Sequence, residues 1–109
     1  MNSNGRDAET KACRYLQQQG YKIVARNWRC RFGEIDIIAR DGGVLVFIEV
    51  KSRQDNGFGG PEAAVDPAKQ RRIVLTAGAF IDKTVCDLPA RFDVIALAGE
   101  EIRLIRDAF

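Results

Sequence analysis

The chain has no histidine among its 109 residues. A Ser-His-Asp triad, a Cys-His dyad and any zinc site built on imidazole are therefore excluded. If the protein is an enzyme, carboxylates, lysines or cysteines must carry its chemistry. The three cysteines (Cys13, Cys30 and Cys86) form no CxxC pair, and their odd number argues against a secreted disulfide framework. We interpret them as small apolar residues in a reducing compartment.

Long hydrophobic runs are also lacking. The longest strongly apolar run is 44–48, whereas a membrane-spanning helix needs about 20 such residues. Residues 1–5 have no apolar stretch typical of a signal peptide, and we expect them to form a disordered tail. The cytoplasm is therefore the expected location, without membrane contact.

Neither length nor net charge indicates a partner. A chain of 109 residues is the size of one domain, and 17 basic against 15 acidic side chains leave a net charge of +2. The charge is unevenly distributed, however. Residues 1–54 carry 10 basic and 6 acidic side chains (+4), and residues 55–109 carry 7 and 9 (−2). The first half is thus the more suitable one for contacts with phosphate groups.

The apolar pattern predicts a single α/β domain with the order α-β-β-β-α-β-β. The predicted elements are a helix at 6–19, strands at 21–28, 33–39 and 44–51, a polar glycine-rich loop at 52–60, a helix from Asp66-Pro67 to about residue 82, and strands at 92–98 and 102–105. The strands before and after the second helix could form a right-handed parallel crossover.

Two neighbouring strands contain the residues that could take part in catalysis or bind a metal ion. Because side chains alternate along a strand, Glu34, Asp36 and Ile38 are expected on one face, and Glu49 and Lys51 together on the partner strand. A turn with an even number of residues brings the two sets to the same side of the sheet. A four-residue loop, 41–44, would place Asp36 directly opposite Glu49. A two-residue loop, 41–42, would place it opposite Phe47.

Two carboxylates at that separation repel each other unless one binds a proton or a cation lies between them. Magnesium suits such a pair, because it accepts oxygen ligands and needs only one or two carboxylates besides water and substrate phosphate. Lys51 would then reach the same site and orient or deprotonate the attacking water. A simple Glu49–Lys51 ion pair at the strand end is the alternative, and the spacing does not decide between the two.

Further candidates lie on the helices and around the hairpin. Glu9 shares a helical face with Ala12, Cys13 and Leu16, which fits either a site acid or a boundary glutamate whose carboxylate reaches water. Gln70 lies on the buried stripe of the second helix.

Basic residues cluster near the hairpin in sequence: Arg26, Arg29, Arg31, Arg40 and Arg53. They could contact phosphates, or they could form an ordinary solvated surface. Trp28 could stack on an unpaired base, or it could pack in the core.

These motifs together resemble the YraN-like family of small bacterial proteins and, more widely, the PD-(D/E)xK nuclease superfamily. Asp36, twelve intervening residues and then Glu49-Val50-Lys51 resemble the D…ExK signature of that superfamily. The matching stretches are 27–29, 33–39 (GEIDIIA), 46–53 (VFIEVKSR), 69–73, 91–95 and 107–109. Ile35 stands where the superfamily name has a proline. The resemblance covers nearly the whole chain and includes a similarity to archaeal Holliday-junction resolvases.

The resemblance implies a restriction-endonuclease-like fold, with a mixed central sheet flanked by helices. It implies Mg²⁺ or Mn²⁺ bound by Asp36 and Glu49, with Lys51 assisting catalysis. Glu9 would match the first-helix acid of the resolvases, and Gln70 a glutamine of the second helix. The implied activity is metal-dependent hydrolysis of branched or single-stranded DNA, and a homodimer is compatible with it. The same fold could serve as a non-catalytic nucleic-acid-binding accessory protein, or as a protein-interaction domain whose acids only pair with basic side chains.

Overall fold

The helices and strands follow the predicted order α-β-β-β-α-β-β. The computed structural model describes residues 4–53 and 65–109. Its elements are α1 (Asn4–Gln18), β1 (Lys22–Cys30), β2 (Gly33–Asp41), β3 (Val44–Arg53), α2 (Pro67–Thr84), β4 (Ala90–Ala98) and β5 (Glu101–Ile105). Helix α1 already includes residues 4 and 5, so the predicted tail is wrong for these two residues, and residues 1–3 lie outside the described residues. Likewise, β3 extends to Arg53, and the remainder of the predicted loop 52–60 lies outside the described residues.

Local sequence signals set the helix ends. Gly20 has φ +94° and ends α1 in a Schellman arrangement, in which the Tyr21 N–H donates to the Leu16 carbonyl (2.9 Å) and the Gly20 N–H to the Gln17 carbonyl (3.0 Å). Asp66 caps α2 as the sequence predicts. Its carboxylate accepts from the Ala68 N–H at 2.7 Å, and proline follows at the first helical position.

The five strands form one mixed sheet in the order β1-β2-β3-β4-β5. All neighbouring pairs are antiparallel except β3 and β4, which are parallel and connected through α2. This confirms the predicted pairing of the strands on either side of the second helix. Among the described residues, no helix is long and apolar enough to cross a membrane.

The helices pack on opposite faces of the sheet, and each face has its own apolar core. The core beneath α1 contains Ala12, Cys13, Leu16, Tyr21, Ile37, Ala39, Val46, Ile48 and Ile95. The core beneath α2 contains Ile35, Ile38, Leu45, Phe47, Val65, Ile73, Ala77, Phe80 and Val94. A sheet covered on both faces explains why β3 is a nearly continuous apolar run up to Glu49.

The β2–β3 hairpin has the register of the four-residue alternative, although its turn is shorter. Asp41 pairs with Val44 across Gly42-Gly43, and the ladder continues as far as Ile37 opposite Ile48. Gly42 adopts φ +62°, which a tight turn requires and glycine tolerates. The next position of this register would place Asp36 opposite Glu49, where the ladder has ended.

The expectation that Glu34, Asp36 and Ile38 share one face is wrong, because the alternation of β2 breaks at Asp36. Ile35 and Ile38 both pack beneath α2, whereas Ile37 packs beneath α1. The partner strand breaks at the same level: Asn27 has φ +52°, between the paired positions Arg26–Ile37 and Trp28–Ile35. Asparagine tolerates this left-handed conformation better than most residues, so the sequence can accommodate a kink here.

Candidate functional site

The predicted site residues converge where β2 and β3 stop pairing. Asp36 lies in the first half of β2, Glu49 and Lys51 near the carboxyl end of β3, and Glu9 on α1. The first turn of α2 lies against the same region, because Lys69 pairs with Glu49. The site therefore lies in the middle of the sheet, at the carboxyl end of β3, where both helices approach it.

The Asp36 carboxylate takes the place of a backbone hydrogen-bond acceptor where the β2–β3 pairing has ended. Its Oδ2 accepts a hydrogen bond from the backbone N–H of Val50 at 2.8 Å. The pKa of Asp36 is raised to about 7, first by burial and then by the charge and hydrogen bonding of Glu49, whereas the Val50 hydrogen bond opposes the shift. The negative charge of Glu9 adds a smaller increase to the pKa. Asp36 is thus surrounded by other acids, and near neutral pH it carries a proton unless a cation approaches.

Glu49 is a buried acid, only 6% exposed. Its carboxylate forms an ion pair with the Lys69 ammonium group of α2. The neighbouring residues Ile48 and Val50 pack beneath α1, so Glu49 points towards α2 by the alternation of the strand. The cation that the structure shows on Glu49 comes from a helix distant in sequence. The Glu49–Lys51 pair stays an alternative.

Glu9 is held in place by β1. Its Oε1 accepts from the Asn27 side-chain amide at 2.8 Å and lies 3.7 Å from the Arg26 guanidinium group. The side chain of Glu9 is 17% exposed. Glu9 is therefore a boundary glutamate whose negative charge also acts on Asp36, and its role as a site acid stays a prediction.

Lys51 and Gln70 occupy different surroundings. Lys51 is half-buried and follows Glu49 by two residues on the same side of β3. Gln70 donates from Nε2 to the Val65 carbonyl at 2.9 Å and so supports the start of α2. The site roles of both residues stay predictions.

The motif comparison included Lys69 in a matching stretch but gave it no role in the site, although a topological signal was available. A helix that follows a strand through a crossover can begin near the strand's carboxyl end, where Glu49 lies. The first turn of such a helix is therefore a place to search for a partner to a buried acid.

The donor set fits a hard divalent cation. Asp36 and Glu49 place carboxylate oxygens next to each other, and a small oxygen-preferring ion such as Mg²⁺ would favour the ionised form of both. Within residues 4–53 and 65–109, no three His, Cys, Asp or Glu side chains are grouped as metal ligands. Two carboxylates suffice for Mg²⁺ when water and a substrate phosphate complete the coordination.

The predicted phosphate-binding arginines are partly engaged within the protein. Arg26 contacts Glu9 and Thr10, Arg29 pairs with Glu34 at 3.2 Å, and Arg31 lies over the Phe32 ring. The Arg53 side chain lies outside the described part of the structure.

Arg40 is far from the site. It pairs with Leu45, four residues along β3 from Glu49, which corresponds to about 13 Å.

Trp28 packs in the core rather than presenting its ring for stacking. The ring meets Phe80 edge-on, with centroids 5.3 Å apart, and belongs to the apolar layer beneath α2. The structure therefore supports core packing of Trp28 over stacking on a base.

A second acid cluster, which we call the Asp93 network, lies near the hairpin end of β2. Asp93 is fully buried and accepts hydrogen bonds from the Tyr21 hydroxyl (2.8 Å), the Arg91 guanidinium group (2.9 and 3.0 Å) and the Asp107 N–H (2.9 Å). Arg91 also binds Asp41 at 2.9 Å, and Arg106 donates to the Tyr21 hydroxyl at 3.0 Å. This network joins β1, β2 and β4 to the segment after β5.

Comparison with known proteins places the chain in a family. The sequence profile of the uncharacterised protein family UPF0102 matches residues 8–97, which include α1 through nearly all of β4. A UPF0102 protein of Lachnoclostridium phytofermentans is 51% identical over 107 residues, covering 96% of this chain and 91% of that protein. A UPF0102 protein of Ralstonia pickettii is 49% identical over 112 residues, covering 98% and 90%.

A third relative supports the same family. A UPF0102 protein of Syntrophus aciditrophicus is 48% identical over 110 residues, covering 96% of this chain and 87% of that protein. The YraN-like part of the resemblance is thereby confirmed, whereas membership of the nuclease superfamily stays a prediction. The chain belongs to the uncharacterised protein family UPF0102.

Proposed function

We propose that this protein is a divalent-metal-dependent nuclease that hydrolyses phosphodiester bonds in branched or single-stranded DNA. The observation that carries the proposal is the proximity of the Asp36 and Glu49 carboxylates: burial, and after it the charge of Glu49, raises the pKa of Asp36 to about 7. Keeping two acids together in a partly buried place costs stability, so the arrangement is expected to serve a function. The resemblance to the PD-(D/E)xK signature supplies the substrate class.

Each residue of the site has a distinct proposed role. Asp36 and Glu49 would hold the ion, which supplies Lewis-acid polarisation of the phosphate and acidifies a bound water. Lys51 would orient the attacking water or offset charge that develops on the phosphate. Water oxygen forms a new bond to phosphorus, one ester P–O bond breaks, and the leaving oxygen takes up a proton. Glu9 and Gln70 would support this set from the two helices.

The surroundings of the site agree with a polyanionic substrate. The half of the sequence that contains the hairpin has a net charge of +4, and Arg29 and Arg31 are exposed at the end of β1 and the adjoining turn. We place this activity in the cytoplasm. A homodimer would allow one protein to contact two arms of a branched substrate, and sedimentation of the protein with and without such DNA tests this assembly.

Cleavage assays test the proposal directly. Purified protein is incubated with a labelled four-way junction, a flap and a single strand, with Mg²⁺ or Mn²⁺ and with EDTA. We expect metal-dependent cutting by wild type and a loss on the order of 10²- to 10³-fold in Asp36→Asn and Glu49→Gln. Glu34→Gln is the matched control, because Glu34 lies two residues before Asp36 and pairs with Arg29. Equal cutting by wild type and Asp36→Asn would reject the proposal.

A nucleic-acid-binding protein without turnover is the second candidate. The ion pair between Lys69 and Glu49 favours it, because the protein itself supplies a cation to one of the proposed metal ligands. This candidate predicts salt-sensitive DNA binding that survives Glu49→Gln and no cutting with any divalent ion.

A further inference from the structure

Lys69 occupies a helix position that ordinary helix chemistry disfavours. It is the third residue of α2, after the Asp66 cap and Pro67, and the first turn of α2 contains no acidic residue. The amino end of a helix carries partial positive charge, so a lysine there is unfavourable, and this position usually favours glutamate or glutamine. A residue that breaks a local rule while contacting a buried acid is a candidate for a functional role.

The contact itself joins a buried group to a largely solvent-accessible one. The Glu49 side chain is 6% exposed, whereas the Lys69 side chain is 43% exposed. A buried carboxylate without a partner is costly, so the metal-free protein needs a cation at this place. The long flexible stem of lysine allows that cation to enter from solvent and to leave again.

The backbone that carries Lys69 is fixed on both sides. The Asp66 carboxylate accepts from the Ala68 N–H at 2.7 Å, and the Gln70 amide donates to the Val65 carbonyl at 2.9 Å. Movement of the ammonium group therefore requires only rotation of the side chain, while Glu49 stays on its strand.

We propose that Lys69 occupies the place of a divalent cation on Glu49 and is exchanged for it when metal binds, which releases the ammonium group towards the substrate phosphate. An ammonium group and a divalent ion on one carboxylate would repel each other, so binding of one disfavours the other. This inference rests on the proposed function, because it assumes the Asp36–Glu49 metal site. It adds Lys69 as a residue that couples metal binding to DNA binding.

Metal titration of the full chain tests the exchange without measuring activity. Mn²⁺ is titrated by calorimetry into wild type, Lys69→Gln and Lys83→Gln at pH 8 without DNA. Lys83, in the last turn of α2, is the matched control for loss of one positive charge from the same helix. We expect Lys69→Gln to bind Mn²⁺ about fivefold or more tightly than wild type, and Lys83→Gln to match wild type. Lys69→Arg, which keeps the charge, should not gain affinity, and it provides a folded variant if Lys69→Gln is unstable.

DNA binding gives the second readout. Affinity for a labelled junction is measured with EDTA and with Ca²⁺, and the effect of Lys69→Gln should be about threefold larger with Ca²⁺, when the ammonium group is released. A purely structural ion pair would lower stability without this metal-dependent difference.

The outcomes separate this inference from the proposed function. The proposed role of Lys69 is overturned if Lys69→Gln binds Mn²⁺ as wild type does or more weakly. It is also overturned if Lys69→Gln changes DNA affinity equally in EDTA and in Ca²⁺. The nuclease proposal would still stand in either case if metal-dependent cutting is sensitive to Asp36→Asn. Absence of Mn²⁺ binding in both wild type and Lys69→Gln overturns both.

Discussion

The sheet contains two acids whose surroundings are opposite: Asp93 is fully buried and paired, whereas Asp36 is half-buried among other acids. Asp93 is 0% exposed and accepts hydrogen bonds from a tyrosine, an arginine and a backbone N–H. Asp36 accepts a hydrogen bond from the Val50 N–H, and it faces the charges of Glu49 and Glu9. The protein balances the negative charge of Asp93 with an arginine, whereas it makes Asp36 more difficult to ionise.

The difference between the two acids separates a structural role from a functional one. The Asp93 carboxylate raises the pKa of Arg91 by hydrogen bonding, so cation and acid stabilise each other's charge. At Asp36 the neighbouring acids and burial raise the acid's own pKa to about 7, which leaves a place suited to an external cation. Burial alone therefore does not distinguish a structural acid from a functional one, whereas the sign of the nearest charges does.

The Asp93 network should show the largest stability effect. Asp93→Asn removes a fully buried negative charge and takes this partner from the half-buried Arg91, so we expect a loss of about 3–5 kcal/mol in the free energy of unfolding. Urea denaturation measures it. Asp107→Asn is the control, because the Asp107 side chain is exposed and only its backbone N–H joins the network. A loss below about 1 kcal/mol in Asp93→Asn would show that the network is not structurally important.

At Asp36 the same substitution should act in the opposite direction. Folding raises the pKa of Asp36 from 3.8 to about 7, so the folded state favours the protonated carboxyl. This contribution to stability is complete below about pH 4 and is lost as the pH rises through 7. Asp36→Asn mimics the protonated form, so at pH 8 without divalent ions it should be about 2 kcal/mol more stable than wild type. The pKa difference between the folded and unfolded states sets an upper limit of about 4 kcal/mol on this gain.

Denaturation at pH 5 and pH 8 checks this prediction. The difference between Asp36→Asn and wild type should shrink at pH 5, where wild type is protonated as well. At pH 8, Mg²⁺ should stabilise wild type but not Asp36→Asn. A variant that is less stable than wild type at both pH values would contradict the contrast between the two acids.

The sequence was sufficient for the fold, because its signals are local. Turn glycines, the Asp66-Pro67 cap and the apolar periodicity gave the order of the elements, and the apolar run of β3 indicated a strand covered on both faces. The motif also identified Asp36 and Glu49 as neighbours. The break in alternation at Asp36 was not foreseen, because it depends on the left-handed conformation of Asn27 on the partner strand. The contacts of Lys69 with Glu49 and of Tyr21 with Asp93 were not foreseen, because they join residues 20 and 72 positions apart.

The kink at Asn27 allows a test of how the acid site is positioned. Asn27 has φ +52° and donates to Glu9, so Asn27→Ala loses both a tolerated conformation and the hydrogen bond, whereas Asn27→Gly loses only the bond. We expect Asn27→Ala to be about 1–2 kcal/mol less stable than Asn27→Gly. Both should lower cleavage by a similar factor, because both release Glu9. Equal stability of the two variants would show that the backbone at this position carries no strain.

The smallest expected effect concerns exposed arginines. Arg31 lies in the turn after β1, at the end of the sheet that contains the site, and Arg40 lies at the other end. Arg31→Gln should weaken DNA binding about two- to threefold and reduce the salt dependence by about 0.9 in slope, as for one phosphate contact. Fluorescence anisotropy in Ca²⁺ at several salt concentrations measures both. An equal effect of Arg40→Gln would mean that DNA binding does not centre on the proposed site.

Anomalous scattering from a crystal of the protein soaked in Mn²⁺ tests the central claim most directly. The account predicts an anomalous peak within ligand distance of both the Asp36 and Glu49 carboxylates, and loss of this peak in Asp36→Asn crystals treated in the same way. Well-ordered carboxylates without a peak between them, or a peak that persists in Asp36→Asn, would contradict it.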